Sequence, residues 1–205
     1  MKKLLLSFYV VCNVQICCGQ QNFKFGPVGA LNAAWFRINW NTANAEITPV
    51  LGFQVGLMAD YEISKSIALQ PCITYSGAGG KVKQNNQTSV YSLNYFNIPI
   101  LIAIKKSLNQ AGNIFVNTGP YIGIGVGGNL DKNGNKKVVA WGNNATLHDA
   151  RRGDLGWCLG IGFEKNDFQF SLLYQIGVSD IHPNNNDTYN NRLVGIRVGY
   201  LVNLQ

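Results

Sequence analysis

The stretch Leu155-Gly156-Trp157-Cys158-Leu159-Gly160-Ile161-Gly162-Phe163 alternates without interruption, large apolar groups at the odd positions and glycine or cysteine between them. Successive side chains of a β-strand point to opposite faces, so the pattern gives one oily face and one nearly bare face. A wall between lipid and a polar interior alternates in this way. The next segment repeats it, with Phe168, Phe170, Leu172, Tyr174, Ile176 and Val178 set against Gln169, Ser171, Gln175 and Gly177.

Two more segments share the rhythm. Leu51, Phe53, Val55, Leu57, Ala59 and Tyr61 oppose Gly52, Gln54, Gly56, Asp60 and Glu62, while Val194, Ile196, Val198, Tyr200, Val202 and Leu204 oppose Gly195, Arg197, Gly199 and Asn203. Four further strands are predicted at roughly 25–35, 67–76, 91–105 and 114–126, which makes eight. Pro71, Pro99 and Pro120 fall inside three of these; proline donates no ladder hydrogen bond, so bulges or local gaps are expected there.

Connections alternate in length. Those at 62–66, 106–112 and 164–167 are short, whereas 37–49, 78–90, 127–152 and 179–191 are long and rich in Asn, Gly and charge. Short periplasmic turns, longer outer loops and an even strand number belong to outer-membrane barrels and put both termini in the periplasm. In hydrocarbon each unpaired backbone group costs several kcal/mol, so strands cross only as a ring without edges. The expected fold is all-β, an eight-stranded antiparallel up-and-down transmembrane β-barrel. Eight strands enclose only enough room for side chains, so no water-filled pore is expected.

Aromatic residues prefer the membrane boundary. On the oily faces Tyr61, Phe163, Phe168 and Tyr200 fall at the predicted periplasmic ends, and Trp35, Phe53, Tyr75 and Trp157 near the outer ends. Phe53 and Tyr61 are eight positions apart. That is about 26 Å of strand and about 20 Å once tilted, close to an apolar band of roughly 25 Å.

The N-terminus has Lys2 and Lys3, an apolar run from Leu4 to Val11, and small residues before a Gln-rich start. This is the layout of a secretory signal peptide over residues 1–19, leaving a barrel domain at 20–205. No cysteine there follows the leucine and two small residues of a lipidation site, which disfavours a lipid anchor. Removing the leader leaves Cys72 and Cys158 on non-neighbouring strands, where isolated packing is favoured over a disulfide. The formal charge of +7 includes Lys2 and Lys3, and the scattered remainder does not argue for nucleic acid.

Candidate chemistry is sparse in 205 residues with two histidines, His148 and His182. Ser179, Asp180 and His182 invite a hydrolase, but a triad must converge in space and solvated loop residues are the simpler account. Asp131, Asn133 and Asn135 open like a calcium loop, yet Lys136 stands where glycine is needed and no acid closes the loop. Lys81, Lys83, Lys132, Lys136, Lys137, Arg37, Arg151, Arg152 and Arg192 lie in the outer connections, within reach of lipopolysaccharide phosphates, though acids share those loops. By parity Asp60, Glu62 and Arg197 face inward, and a buried charge without a partner is costly, so Arg197 is expected to pair with one of the acids. No catalytic, cofactor-binding or metal site is assigned.

The placed residues resemble the PorT-like outer-membrane β-barrel family of Bacteroidota. The resemblance is carried by Leu69-Gln70-Pro71 leading into Tyr75-Ser76-Gly77, by Leu93-Asn94-Tyr95-Phe96-Asn97-Ile98-Pro99, by Gly119-Pro120-Tyr121-Ile122-Gly123, and by the final strand to Gly199-Tyr200. It implies a small outer-membrane barrel, some relatives being linked to protein secretion, and no enzymatic residues. Arg197, Gly199, Val202 and Leu204 match the spacing of a terminal signal for the barrel-assembly machinery, without its usual aromatic residues. The expected role is that of a non-enzymatic envelope protein in outer-membrane lipid, structural or interacting with other envelope proteins. The alternatives are a secretion accessory, a lipocalin-like carrier with its apolar residues inside, and a lipid-modifying enzyme.

Overall fold

The computed structural model describes residues 23–39, 45–183 and 187–203, so the expected leader and Leu204 lie outside the described residues. In chain order the strands are β1 (Phe23–Asn39), β2 (Glu46–Thr48), β3 (Val50–Ser64), β4 (Ile67–Gln84), β5 (Gln87–Ser107) and β6 (Asn113–Lys132). There follow β7 (Asn135–Val138), β8 (Gly153–Lys165), β9 (Phe168–Gly177), β10 (Thr188–Tyr200) and β11 (Val202–Asn203). Eight of these form the wall. Each pairs antiparallel with the next, and β10 returns to β1 from Val28 opposite Gly199 to Asn39 opposite Thr188. The cylinder is therefore closed and has no free edge.

The faces decide the solvent. Leu51 is 91% exposed, and Phe53, Ile102, Ile122, Trp157, Ile161, Leu172 and Ile196 all stand outward. Gln54, Asp60, Gln70, Asn97, Lys105, Asn117, Gln175 and Arg197 are buried inside. An apolar exterior around a polar interior suits a hydrocarbon surround and is the inverse of a lipocalin, which overturns the carrier alternative.

Each proline sits beside a break in the ladder. β4 and β5 pair at Pro71–Ile100 and resume at Thr74–Asn97, while β5 and β6 pair at Pro99–Tyr121 and resume at Ile102–Thr118. The register is the same on both sides of each break, so these are gaps and not bulges. A bulge does occur, at Asn94–Tyr95 opposite the glycine-rich part of β6. Pro27 accompanies a further gap, at the closing seam, below which Phe25 pairs with Val202.

The connections at one end are short, and at the other the strands run on well beyond the oily band. Residues 78–90, expected as a long loop, are strand except for a two-residue turn at Asn85-Asn86, both at positive φ (48° and 61°). β6 and β7 form a second such hairpin through Asn133-Gly134, at φ 50° and 87°. Asn-Gly between paired strands is the preferred sequence for that tight turn. Among the described residues of that end, 139–152 and 178–183 are irregular, and Val139, Trp141, Ala150 and Ile181 pack into the apolar cluster at the barrel mouth.

Candidate functional site

At the short-turn end, charged side chains from several strands meet inside the barrel. Lys105 of β5 donates to Asp60 of β3 at 3.0 Å and to Glu164 of β8 at 2.9 Å, with Glu62 at 3.6 Å. Lys24 of β1 reaches Glu164 at 2.9 Å. Amides extend the set: Gln70 donates to Asp60 at 2.6 Å, Asn117 to Gln70 at 2.8 Å and Gln169 to Glu164 at 3.3 Å. Asp60 has a side-chain exposure of 0% and Lys105 of 4%, so the centre of this polar knot is buried inside the barrel.

The cation of the knot is not the one expected. Arg197 is buried, yet among the described residues it forms no ion pair with Asp60 or Glu62, and its Nε has no hydrogen-bond partner. Asp60 is already held by Lys105 and Gln70. Parity alone would have found Lys105: Ile100, Ile102 and Ile104 face outward, which turns Leu101, Ala103 and Lys105 inward. Lys24 and Glu164 were missed because each lies one residue beyond a predicted strand end. Cys72 and Cys158 are buried and unbridged.

Toward the long-hairpin end, Asp154 gathers hydrogen bonds from Tyr121 (3.0 Å), Asn191 (2.9 Å) and Ser179 (3.0 Å). Above it an apolar cluster that includes Phe36, Leu93, Tyr95, Leu130, Ile181 and Tyr189 closes the mouth. Trp141 packs edge-on against Tyr95 with ring centroids 5.6 Å apart, and it lies so close to Gly125 that a side chain there would strike the indole at 2.4 Å.

Asp149 pins this plug. It accepts the Ala140 N–H at 3.0 Å and pairs with Lys137 at 2.7 Å. Burial pushes its carboxyl up, but the Lys137 and Ala140 hydrogen bonds outweigh this and hold it below the ordinary value.

The candidate chemistry resolves into structural contacts. The Ser179 hydroxyl is taken by Asp154, Asp180 accepts the backbone N–H groups of His182 and Tyr189 and pairs with Arg151, and the His182 ring stacks on Tyr189 at 4.3 Å. The three side chains do not form a nucleophile–base–orienter chain. Asp131 accepts the Gly134 N–H and Asn133 that of Thr88, so the oxygens of the calcium-like segment serve the hairpin turn.

Outside, near one rim, Phe168 packs on Tyr200 at 5.0 Å, and Phe163 and Tyr61 stand at the same end on β8 and β3. Near the other, Trp35 stacks on Tyr174 at 6.2 Å, Phe53 lies 6.2 Å from Tyr75, and Trp157 donates to Thr118 at 2.6 Å. Of the terminal set, Arg197 and Gly199 face inward and Val202 lies on the outer side.

An oily cylinder with a polar, side-chain-filled core defines the class of small membrane-spanning β-barrels. The chain belongs to the outer membrane protein beta-barrel domain family, whose model matches residues 19–183, and it is an integral outer-membrane barrel. Among solved structures it is similar to OprG of Pseudomonas aeruginosa, at 13% identity over 90% of this chain and 97% of that one, with a TM-score of 0.52. The Neisserial surface protein NspA aligns over 87% and 97% at 12% identity with a TM-score of 0.44. Ail of Yersinia pestis aligns over 89% and 100% at 10% identity with a TM-score of 0.43. At these identities OprG supports the fold and nothing finer. No curated protein matches the sequence.

Proposed function

We propose that this protein is a non-enzymatic barrel of the bacterial outer membrane that acts through its outer hairpins and its lipid-facing wall, not through a pore. The observation that carries this is the double closure of the lumen, by the Lys105–Asp60–Glu164 knot at one end and the Tyr95–Trp141 cluster at the other. The long hairpins then face outside and both termini the periplasm, after removal of a leader at 1–19. The two aromatic belts sit at the membrane boundaries, and Arg197, Gly199, Val202 and Leu204 serve recognition by the assembly machinery. Purified protein in planar bilayers tests the closed lumen. No defined conductance step is expected, and a reproducible single-channel step would refute it.

A second role, assistance to protein secretion, is suggested by the resemblance of the quoted motifs, taken together, to PorT-like barrels. Capture of the intact barrel from native outer membranes tests it: recovery of secretion components supports that role, and their absence removes it.

A further inference from the structure

On the lipid-facing wall, toward the long-hairpin rim, β1, β9 and β10 leave a cleft of about 840 Å³. Its walls include Trp35, Arg37, Pro49, Tyr174, Ile176 and Arg192. Trp35 stands directly opposite Arg192 across the strand pair and stacks on Tyr174. Arg192 is anchored by donating to the carbonyls of Gly177 and Asn191, contacts that fix the guanidinium without neutralising it. Arg37 is exposed, and among the described residues neither arginine has an ion pair and no acid lines the cleft. Two cations without an ion-pair partner among the described residues thus stand on the outer side of the wall beside two stacked aromatic rings, and Arg192 also feels the charge of the buried Asp154.

Below that aromatic pair the same wall carries an apolar groove of about 470 Å³. Ala33 forms its shallow floor between its cross-strand partners Leu51 and Val194, with Leu31 and Ile196 further down. Following β1 outward therefore gives Leu31, Ala33, Trp35 and Arg37: aliphatic groove, aromatic panel, cation. An acyl chain, a sugar ring and a phosphate lie in that order in a phosphorylated glycolipid of an outer leaflet. Guanidinium groups bind phosphate through paired, charge-assisted hydrogen bonds, and basic pockets at the membrane surface take up anionic headgroups.

We propose that this wall is a seat for one phosphorylated glycolipid of the outer leaflet, the lipid A part of lipopolysaccharide. Arg37 and Arg192 hold phosphate, Trp35 and Tyr174 flank the sugar, and the Ala33 groove takes an acyl chain. The seat rests on the orientation proposed above, with the long hairpins outside.

Native mass spectrometry of the full barrel in detergent, titrated with diphosphoryl lipid A, dephosphorylated lipid A and phosphatidylglycerol, tests it. Wild type is expected to retain one diphosphoryl lipid A. The Arg37→Gln/Arg192→Gln double variant should weaken retention by at least about tenfold, and Ala33→Phe, which fills the groove from outside, should also weaken it. Heat-shifted gel migration confirms that each variant is folded. Equal retention of the dephosphorylated lipid, equal retention of phosphatidylglycerol, or unchanged retention in the double arginine variant would overturn the seat. An epitope inserted at Asn133-Gly134 reports orientation on intact cells. A hidden epitope defeats the orientation and the seat together, while an exposed epitope without lipid retention defeats the seat alone.

Discussion

Replacing Lys105 by methionine removes the cation shared by Asp60 and Glu164 while keeping much of the side-chain volume. At about 3 Å and an effective dielectric of about 20, each contact is worth roughly 5–6 kcal/mol of Coulomb attraction. Desolvating each ion costs several kcal/mol in return, so the intact knot is near balance. The substitution is not balanced. Glu164 keeps Lys24 at 2.9 Å, but Asp60 is left fully buried with only the neutral amide of Gln70 at 2.6 Å. Removing one partner of such a pair costs about 3–5 kcal/mol. With a urea slope of about 2 kcal/mol per molar, the unfolding midpoint in detergent micelles should fall by about 2 M. Lys105→Met/Asp60→Asn removes the orphaned carboxylate with its cation and should recover most of the loss. Arg197→Met is the internal control, because no acid among the described residues pairs with that guanidinium, and it should change stability by no more than about 1 kcal/mol. A Lys105→Met shift no larger than that of Arg197→Met, or a double variant no better than the single, would refute the assignment of the knot.

The plug over the mouth gives two further expectations. Asp149 has its carboxyl held below the ordinary value, so its contribution is complete above the unfolded value of about 3.9 and disappears as pH falls through the folded one. The Ala140 amide resonance should accordingly hold its position from neutral pH down to about 4 and shift only below; a midpoint at or above the ordinary carboxylate value would contradict the pinning. Gly125→Val places a branched side chain where the Trp141 ring lies, and such overpacking costs about 1–3 kcal/mol. The 139–152 segment should then become open to protease while the barrel stays resistant, and an unchanged cleavage pattern would place Trp141 elsewhere.

The two-residue rhythm made the wall legible because side-chain parity is a local property and a polar side chain facing the middle of the lipid is costly. Leu155 to Phe163 is enough to assign a strand with its lipid side, and the same rule fixed which way Asp60, Glu62 and Arg197 point. Parity does not say which inward groups meet. Asp60 and Lys105 are 45 residues apart, and their contact depends on how three strands stagger around a closed ring. Arg197 was therefore matched to the wrong strand. Lys24 and Glu164 were legible by carrying the alternation one residue further, and the Asn133-Gly134 hairpin by its turn chemistry. The inward fold of 139–152 was not, since the small footprint of Gly125 that admits Trp141 has no sequence signature of its own.

The knot of charges also bears on how the cylinder finds its alignment. Its members come from β1, β3, β4, β5, β6, β8 and β9, so they converge only when those strands sit in a single relative stagger. A strand displaced by one position swaps its two faces. For β5 that exchange would turn Lys105 out of the lumen at the short-turn rim, where an outward lysine costs no more than about 1 kcal/mol, and would break its contacts with Asp60 and Glu164. The ions thus act less as glue than as a proofreading mark, penalising misaligned assemblies more than they favour the correct one.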